Sequence, residues 1–238
     1  MALFPRMSGS AVIIGASGGI GAAFVAALED EGAFDVVHGF ARSWSGARHI
    51  DLTDEASIAA AAALVATGPA PTLVIVATGL LHDAVRGPEK AMRELDPVWL
   101  AQNFAINAIG PALVAKHFLP LGTKGKPAVF AVLSARVGSI SDNKLGGWYG
   151  YRASKAALNQ LVRTLAIEEK RRNDRSIVVA LHPGTVDTAL SKPFQSNVQP
   201  GRLFDAERAA LQLLDVIEGL KVPDSGKLFD FEGKEVSF

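Results

Sequence analysis

The stretch Ala11-Val12-Ile13-Ile14-Gly15-Ala16-Ser17-Gly18-Gly19-Ile20-Gly21 decides how the rest of the chain is read. An apolar run leads into a cluster of glycines, and a helical pattern follows. The run predicts a buried strand, the glycines a tight turn, and the residues beyond them a helix opening near position 19. Glycines in such a turn let the backbone approach a pyrophosphate, and the helix N terminus then faces its charge. The spacing is Gly-x-x-x-Gly-x-Gly rather than the commoner Gly-x-Gly-x-x-Gly. A glycine cluster alone marks only a turn. Its position after the first strand points to a dinucleotide site that uses Gly15, Ser17, Gly19, Ile20 and Gly21.

Working outward, short β-rich runs alternate with longer helical patterns. Strands are expected at 10–14, 35–38, 48–50, 72–77, 128–133, 177–181 and 227–229. Several are continuous apolar runs, the pattern of parallel strands buried on both faces. Helices are expected at about 19–30, 54–66, 97–118, 149–171 and 205–219. Thr53 or Asp54 can cap the second, Asp96-Pro97 signs the start of the third, and the basic run 170–172 suits the end of the fourth. This alternation implies right-handed crossovers. The expected fold class is α/β: a single Rossmann-type doubly wound parallel sheet of about seven strands with helices on both faces. One NAD(P)-binding domain is expected over 1–238.

Composition narrows the function classes. The 238 residues are 49% hydrophobic and 20% charged, with formal net charge zero, as in an ordinary globular protein. No charge imbalance argues for nucleic acid, a membrane surface or acidic partners. There is no cysteine, so disulfides and thiolate metal sites are excluded, and a reducing compartment fits. His38, His49, His82, His117 and His182 lie far apart, so no metal site is expected. Arg6 before the apolar run 11–28 imitates a signal peptide, but the glycines favour strand-turn-helix. No stretch free of glycine and charge is long enough to span a bilayer. A cytoplasmic location is expected.

Two further features carry chemistry. The segment at 146–159, GGWYGYRASKAALN, holds both tyrosines of the chain. Tyr151 and Lys155 are one helical turn apart and share a face. A free phenol titrates near ~10, and a neighbouring ammonium is expected to lower that value, making Tyr151 a usable acid or base for a hydroxyl/carbonyl pair. A lone pair of this kind is usually packing, and its place after a dinucleotide loop tips the reading to chemistry. At the end of the second strand, Val36-Val37-His38-Gly39-Phe40-Ala41-Arg42-Ser43 carries no carboxylate for a ribose 2′-hydroxyl. Arg42 with Ser43 could instead meet a 2′-phosphate, which favours NADP over NAD. Pro111 has no N–H for the carbonyl four residues back, which is that of Asn107. That carbonyl is expected to bind a water in line with Lys155.

With these residues in view, the chain resembles the short-chain dehydrogenase/reductase family over essentially its whole length. The likeness is carried by Gly15-x-x-x-Gly19-Ile20-Gly21, Asp51, Ala77-Thr78-Gly79, Asn107, Ser134, Tyr151-x-x-x-Lys155 and His182-Pro183-Gly184-Thr185-Val186-Asp187-Thr188. The phrase GGWYGYRASKAALN also resembles the C-factor-like, sniffer-type carbonyl reductase branch. The resemblance implies hydride transfer between a nicotinamide and a small carbonyl or alcohol substrate. Tyr151 would be the acid/base, Lys155 its partner on the nicotinamide ribose, Ser134 the group binding the substrate oxygen, and Asn107 the support of a water relay. It also implies Asp51 and Leu52 flanking the adenine, Thr78 and Gly79 the ribose, and Pro183, Gly184, Val186 and Thr188 the nicotinamide. Helices 97–118 and 149–171 would build a homodimer or homotetramer.

The serine departs from the family pattern. Where the family often has a serine pair, this chain reads Ser134-Ala135, and the distance to Tyr151 is longer than usual. Ser134 fills the role, or Ser139 folds back into the site, or the site runs without it. The segment 189–202 lacks periodicity and is expected to form a lid. Leu190 and Phe194 could line a pocket or pack the lid, and Trp148 and Tyr149 are expected at the pocket mouth or under the lid. A nucleotide-binding signalling protein with little turnover is the alternative function.

Overall fold

The structure, a computed structural model, describes residues 7–238. Arg6 lies outside the described residues. The chain runs β1 (Met7–Ile14), α1 (Gly19–Glu31), β2 (Phe34–Phe40), α2 (Glu55–Val65), β3 (Pro71–Val76), α3 (Pro97–Phe104), α4 (Gly110–Phe118) and β4 (Ala128–Leu133). It continues through α5 (Tyr149–Arg172), β5 (Ser176–His182), β6 (Thr185–Val186), β7 (Leu203–Phe204), α6 (Ala206–Gly219), β8 (Leu228–Asp230) and β9 (Glu235–Val236).

Seven strands form one sheet in the order β2-β1-β3-β4-β5-β8-β9. All its neighbours are parallel except the terminal pair β8 and β9. Alternate residues of β1 show why the runs are apolar throughout. Val12 and Ile14 pack on one face beneath α2, α4 and α5, with Phe118, Phe130 and Leu158. Ala11 and Ile13 pack on the other beneath α1 and α6, with Phe24, Leu28 and Leu213. Both faces are covered, so a one-residue slip finds no polar face to expose.

Two expectations need correction. The stretch 48–50 is not a strand. Gly46–Arg48 forms a short 3-10 turn, and only a single bridge joins Ala41 to His49. Arg48 is exposed and the His49 ring bonds the Arg42 and Trp44 carbonyls, so the segment follows the loop instead of extending the sheet. The seventh strand is instead β9, two residues with Glu235 exposed, which pairs antiparallel to β8. Its brevity and charge hid it.

The helix starts follow their signals. Asp54, Asp96 and Asp205 each accept a backbone N–H of the helix they precede, and Pro97 takes the first position of α3. The expected helix 97–118 divides. Between α3 and α4 lies a π turn, Ala105–Ile109, in which Gly110 N–H reaches back five residues to Ala105. Pro111 has no N–H to continue the tighter register, so the helix widens here. Gly110 is required by packing, because a Cβ would come within 2.6 Å of Leu52 Cβ. The continuous run Pro97–Leu121 is long and apolar enough to cross a membrane by length and composition alone. It contains Gly110 and Lys116, and it buries Asn103 and Asn107 beside the site described next.

Candidate active site

The glycine turn sits where β1 ends, beside the end of β3. Gly15 has φ 92°, and a Cβ there would come within 3.0 Å of the Ala77 carbonyl. Gly21 is tighter still, 2.1 Å from the Gly15 carbonyl. Side chains at either position would push the turn off the sheet. The first helix opens with Gly18 as cap, no side-chain capping bond and no acidic residue in its first turn. Its leading N–H groups and dipole are thus left for an anion.

A cavity of about 480 Å³ runs from this turn across the strand ends. Gly15, Ser17, Arg42, Asp51, Leu52, Thr78 and Gly79 all line it. Ser43 donates to Ser17 at 3.0 Å, which ties the end of β2 to the glycine loop. The Arg42 guanidinium makes no ion pair among the described residues. Burial works against the Asp51 charge. Two bonds from Thr53 at 2.8 and 2.7 Å, with Arg42 and His49 nearby, still hold its carboxyl below the usual range.

A second cavity of about 200 Å³ continues from the first through Gly18, Thr78, Gly79 and Leu190. It brings together Gly19, Ile20, Ser134, Tyr151, Lys155, Pro183 and Thr188. A third, about 320 Å³, opens from it past Tyr151 and Ser134. Gly184, Val186, Trp148, Leu190 and Phe194 line this last one. Leu190 and Phe194 therefore do both jobs left open by the sequence, packing the segment 189–202 and walling a cavity. The base of that segment is pinned by β6 pairing with β7.

Tyr151 and Lys155 stand one turn apart on α5, buried to within 8% and 2% exposure. Lys155 Nζ donates to the Leu133 carbonyl at 2.7 Å and lies 5.8 Å from the centre of the Tyr151 ring. Burial pushes the Tyr151 phenol up to about 12 and the Lys155 ammonium down to about 7. The expected lowering of the tyrosine by the lysine is not found. Burial disfavours the phenolate, and the same burial weakens the charge meant to stabilise it. Burial thus favours the protonated phenol of Tyr151 at neutral pH.

Ser134 lies at the junction of the second and third cavities, and its hydroxyl donates to Asn159 at 2.7 Å. Ser139 is buried against Ser141 and Asp142 and lines none of the three cavities. Asn107, in the π turn, is fully buried behind the cleft. Its amide clamps the backbone of Leu80 at 2.7 and 2.8 Å and donates to Ser154 at 3.0 Å. A Cβ on Gly79 would lie 3.8 Å from Asn107 Oδ1 and 4.0 Å from Lys155 Nζ, so this glycine separates the two.

The two tyrosines part company. Tyr149 is exposed, whereas Tyr151 meets Trp148 edge-on at 6.2 Å, and Trp148 meets Phe194 at 5.2 Å. Trp148 is the only non-glycine residue with positive φ among the described residues, at 52°. Three side chains at the site escaped the sequence reading: Asn159, which holds Ser134; His82, whose Nε2 bonds the Ala189 carbonyl at 3.1 Å; and Glu89, buried beside α5. Each acts across a long sequence separation, and no local pattern marks them.

A parallel sheet with a glycine turn at its first crossing, and a Tyr-Lys pair beside it, defines a dinucleotide-dependent oxidoreductase class. A sequence model described as short chain dehydrogenase matches residues 10–199, and the chain belongs to that family. It is therefore an NAD(P)-dependent oxidoreductase in class. Among curated relatives, C-signal of Myxococcus xanthus is 37% identical over 72% of this chain and 95% of its own length. The 1-hydroxy-2-glutathionyl-2-methyl-3-butene dehydrogenase of Rhodococcus sp. is 35% identical over 58% of each chain. Among solved structures, an NADPH-bound carbonyl reductase from chicken fatty liver superposes with TM-score 0.82 at 27% identity, over 98% of this chain and 94% of that one. The carbonyl reductase Sniffer of D. melanogaster shares the fold with TM-score 0.77 at 22% identity, over 98% and 100%. The expected C-factor-like branch agrees with the C-signal relative.

Proposed function

We propose that this protein is an NADP-dependent reductase of small carbonyl compounds, with Tyr151 as the proton donor. The carrying observation is the convergence of Tyr151, Lys155 and Ser134 where the nucleotide-side cavity meets the apolar one. The residues fit a nicotinamide dinucleotide. Gly19 leaves space that a Cβ would close to 2.9 Å from Thr188, and the Thr78 hydroxyl is buried without a partner among the described residues. Gly15, Ser17, Gly19, Ile20 and Gly21 would hold the pyrophosphate. Asp51 and Leu52 would flank the adenine, Thr78 and Gly79 the ribose, and Pro183, Gly184, Val186 and Thr188 the nicotinamide. Arg42, free of ion pairs among the described residues and close to the Ser17–Ser43 contact, supports a 2′-phosphate and hence NADP over NAD.

When bound, the cofactor supplies the hydride. The protein supplies geometry and the proton. Tyr151, kept protonated by burial, donates to the substrate oxygen as negative charge develops on it. Lys155 is held by Leu133 at a point from which its remaining N–H groups reach the ribose site. Ser134 gives its proton to Asn159 and in this arrangement has none to offer the substrate oxygen, which leaves Tyr151 as the donor. Asn107 fixes Leu80 and the cleft wall, and its main-chain carbonyl is the proposed seat of a relay water. The third cavity, walled by Trp148, Leu190 and Phe194, suits an apolar carbonyl substrate. One domain over 1–238, a cytoplasmic location and a homodimer or homotetramer through the helices 97–118 (α3 and α4) and 149–171 (α5) belong to the same reading.

Initial rates with NADPH and with NADH over aldehydes, ketones and quinones test the proposal. NADPH-dependent turnover is expected. A second reading, a nucleotide-binding signalling protein with little turnover, is favoured by the C-signal relative and by the engaged Ser134 beside Ala135. NADPH binding with no oxidation by any carbonyl would decide for it.

A further inference from the structure

Glu89 lies in the loop between β3 and α3, and only 3% of it is exposed. Its Oε2 accepts from Gly150 N–H at 3.0 Å, and its main-chain carbonyl accepts from Trp148 N–H at 2.5 Å. Oε1 is buried without a partner among the described residues, although it lies against the same turn: a Cβ on Gly150 would come within 2.9 Å of it. Both contacts fall on the start of α5, immediately before Tyr151.

That helix start lacks the usual devices. Trp148, at the cap position, gives no side-chain bond, and no acidic residue stands in the first turn. The leading N–H groups of a helix need acceptors, and a carboxylate there also suits the dipole. A serine or aspartate at 148 would do this locally. Position 148 is taken by an indole that walls the third cavity, with its backbone in the left-handed region that favours glycine. The cap therefore comes from elsewhere in the chain. The loop that brings it also meets Asn107 through Leu80 and the segment 189–202 through His82. Leaving one carboxylate oxygen unpartnered inside the protein opposes stability, so stability alone does not account for a glutamate here.

We propose that Glu89 is a positioning residue: its buried carboxylate, supplied by the β3–α3 loop, caps the start of α5 and sets where Trp148 and Tyr151 stand in the cleft. This rests on the assignment of Tyr151 as proton donor. The glycine turn that would bind the cofactor lies on β1 and α1, away from these contacts, so nucleotide binding and turnover should separate.

The test compares Glu89→Ala, Glu89→Gln, Gly150→Ala and Tyr151→Phe by NADPH fluorescence titration, kcat and thermal unfolding. Glu89→Ala is expected to lower kcat on the order of ten- to hundredfold, with the NADPH Kd moved by less than about threefold. Glu89→Gln keeps an oxygen for Gly150 N–H and is expected to recover most of the rate. Should Glu89→Ala fail to fold, Gly150→Ala decides: it displaces the carboxylate without removing it, and the same selective loss of kcat is expected. Wild-type kcat in whichever of these two variants is read overturns the proposal. So does a Glu89→Gln variant as impaired as Glu89→Ala. An active Tyr151→Phe variant would instead remove the assignment beneath it, whereas an inactive one beside a fully active Glu89→Ala removes this proposal alone.

Discussion

The two ends of the cleft are built differently. The nucleotide end rests chiefly on backbone: a glycine turn, a helix start with no side-chain cap and the ends of parallel strands, with Arg42 and Asp51 adding side chains beside them. The substrate end is made of side chains from segments far apart in sequence, with Trp148 from the start of α5, Phe194 from segment 189–202, and Ser134 held by Asn159. Backbone sites are specified by which positions can lack a Cβ. Side-chain sites are specified by who packs against whom. A substitution at the first end should act through sterics and cofactor affinity, and one at the second through rate and substrate choice.

The sharpest break of that contrast is Gly21→Ala. Its Cβ would meet the Gly15 carbonyl at 2.1 Å, backbone against backbone, with nothing flexible to yield. NADPH binding should be lost and the protein destabilised by roughly 1–3 kcal/mol or more, measured by titration and thermal unfolding. Arg42→Ala comes next. Removing charge-assisted bonds to a phosphate should weaken NADPH binding by about ten- to hundredfold and leave NADH nearly unchanged. Equal losses for both cofactors would place Arg42 outside phosphate recognition.

Lys155 links the two ends and gives a pH test. Its folded pKa, about 7, lies below its ordinary value of 10.5 because burial penalises the charge. Between those values the unfolded chain binds the extra proton, so this burden on stability is full below about pH 7 and lifts as pH rises toward 10.5. Lys155→Met should therefore gain stability relative to wild type at about pH 6, and that gain should shrink by about 2–3 kcal/mol by about pH 9. A gain independent of pH would mean that Lys155 keeps its proton throughout. The smallest effect is expected at Ser134. With its proton given to Asn159, Ser134→Ala should slow turnover by less than about tenfold, since Tyr151 remains the donor to the substrate oxygen.

The same contrast explains what the sequence disclosed. The five long apolar or periodic segments from β1 to β5, the helix caps and the glycine turn are local patterns, and they were legible. So was the pairing of Tyr151 with Lys155, which needs only helical spacing. The short β9 was not legible, nor was the π turn that Pro111 imposes between α3 and α4, because both depend on neighbours. The direction of the Tyr151 shift is hidden from the sequence for the same reason. Spacing gives proximity to Lys155, but only the fold reveals that both groups are buried deeply enough for desolvation to outweigh their attraction. Glu89 has no local signature at all, being 61 residues from the N–H it caps.

The most direct test of the account is Tyr151→Phe, assayed in parallel for NADPH binding and for carbonyl reduction. The ring remains to pack against Trp148, so the cleft keeps its shape and the NADPH Kd should stay within about threefold, while turnover falls by roughly a factor of 10² to 10⁴. Turnover equal to wild type in that variant would contradict the assignment of Tyr151 as proton donor and the mechanism built on it.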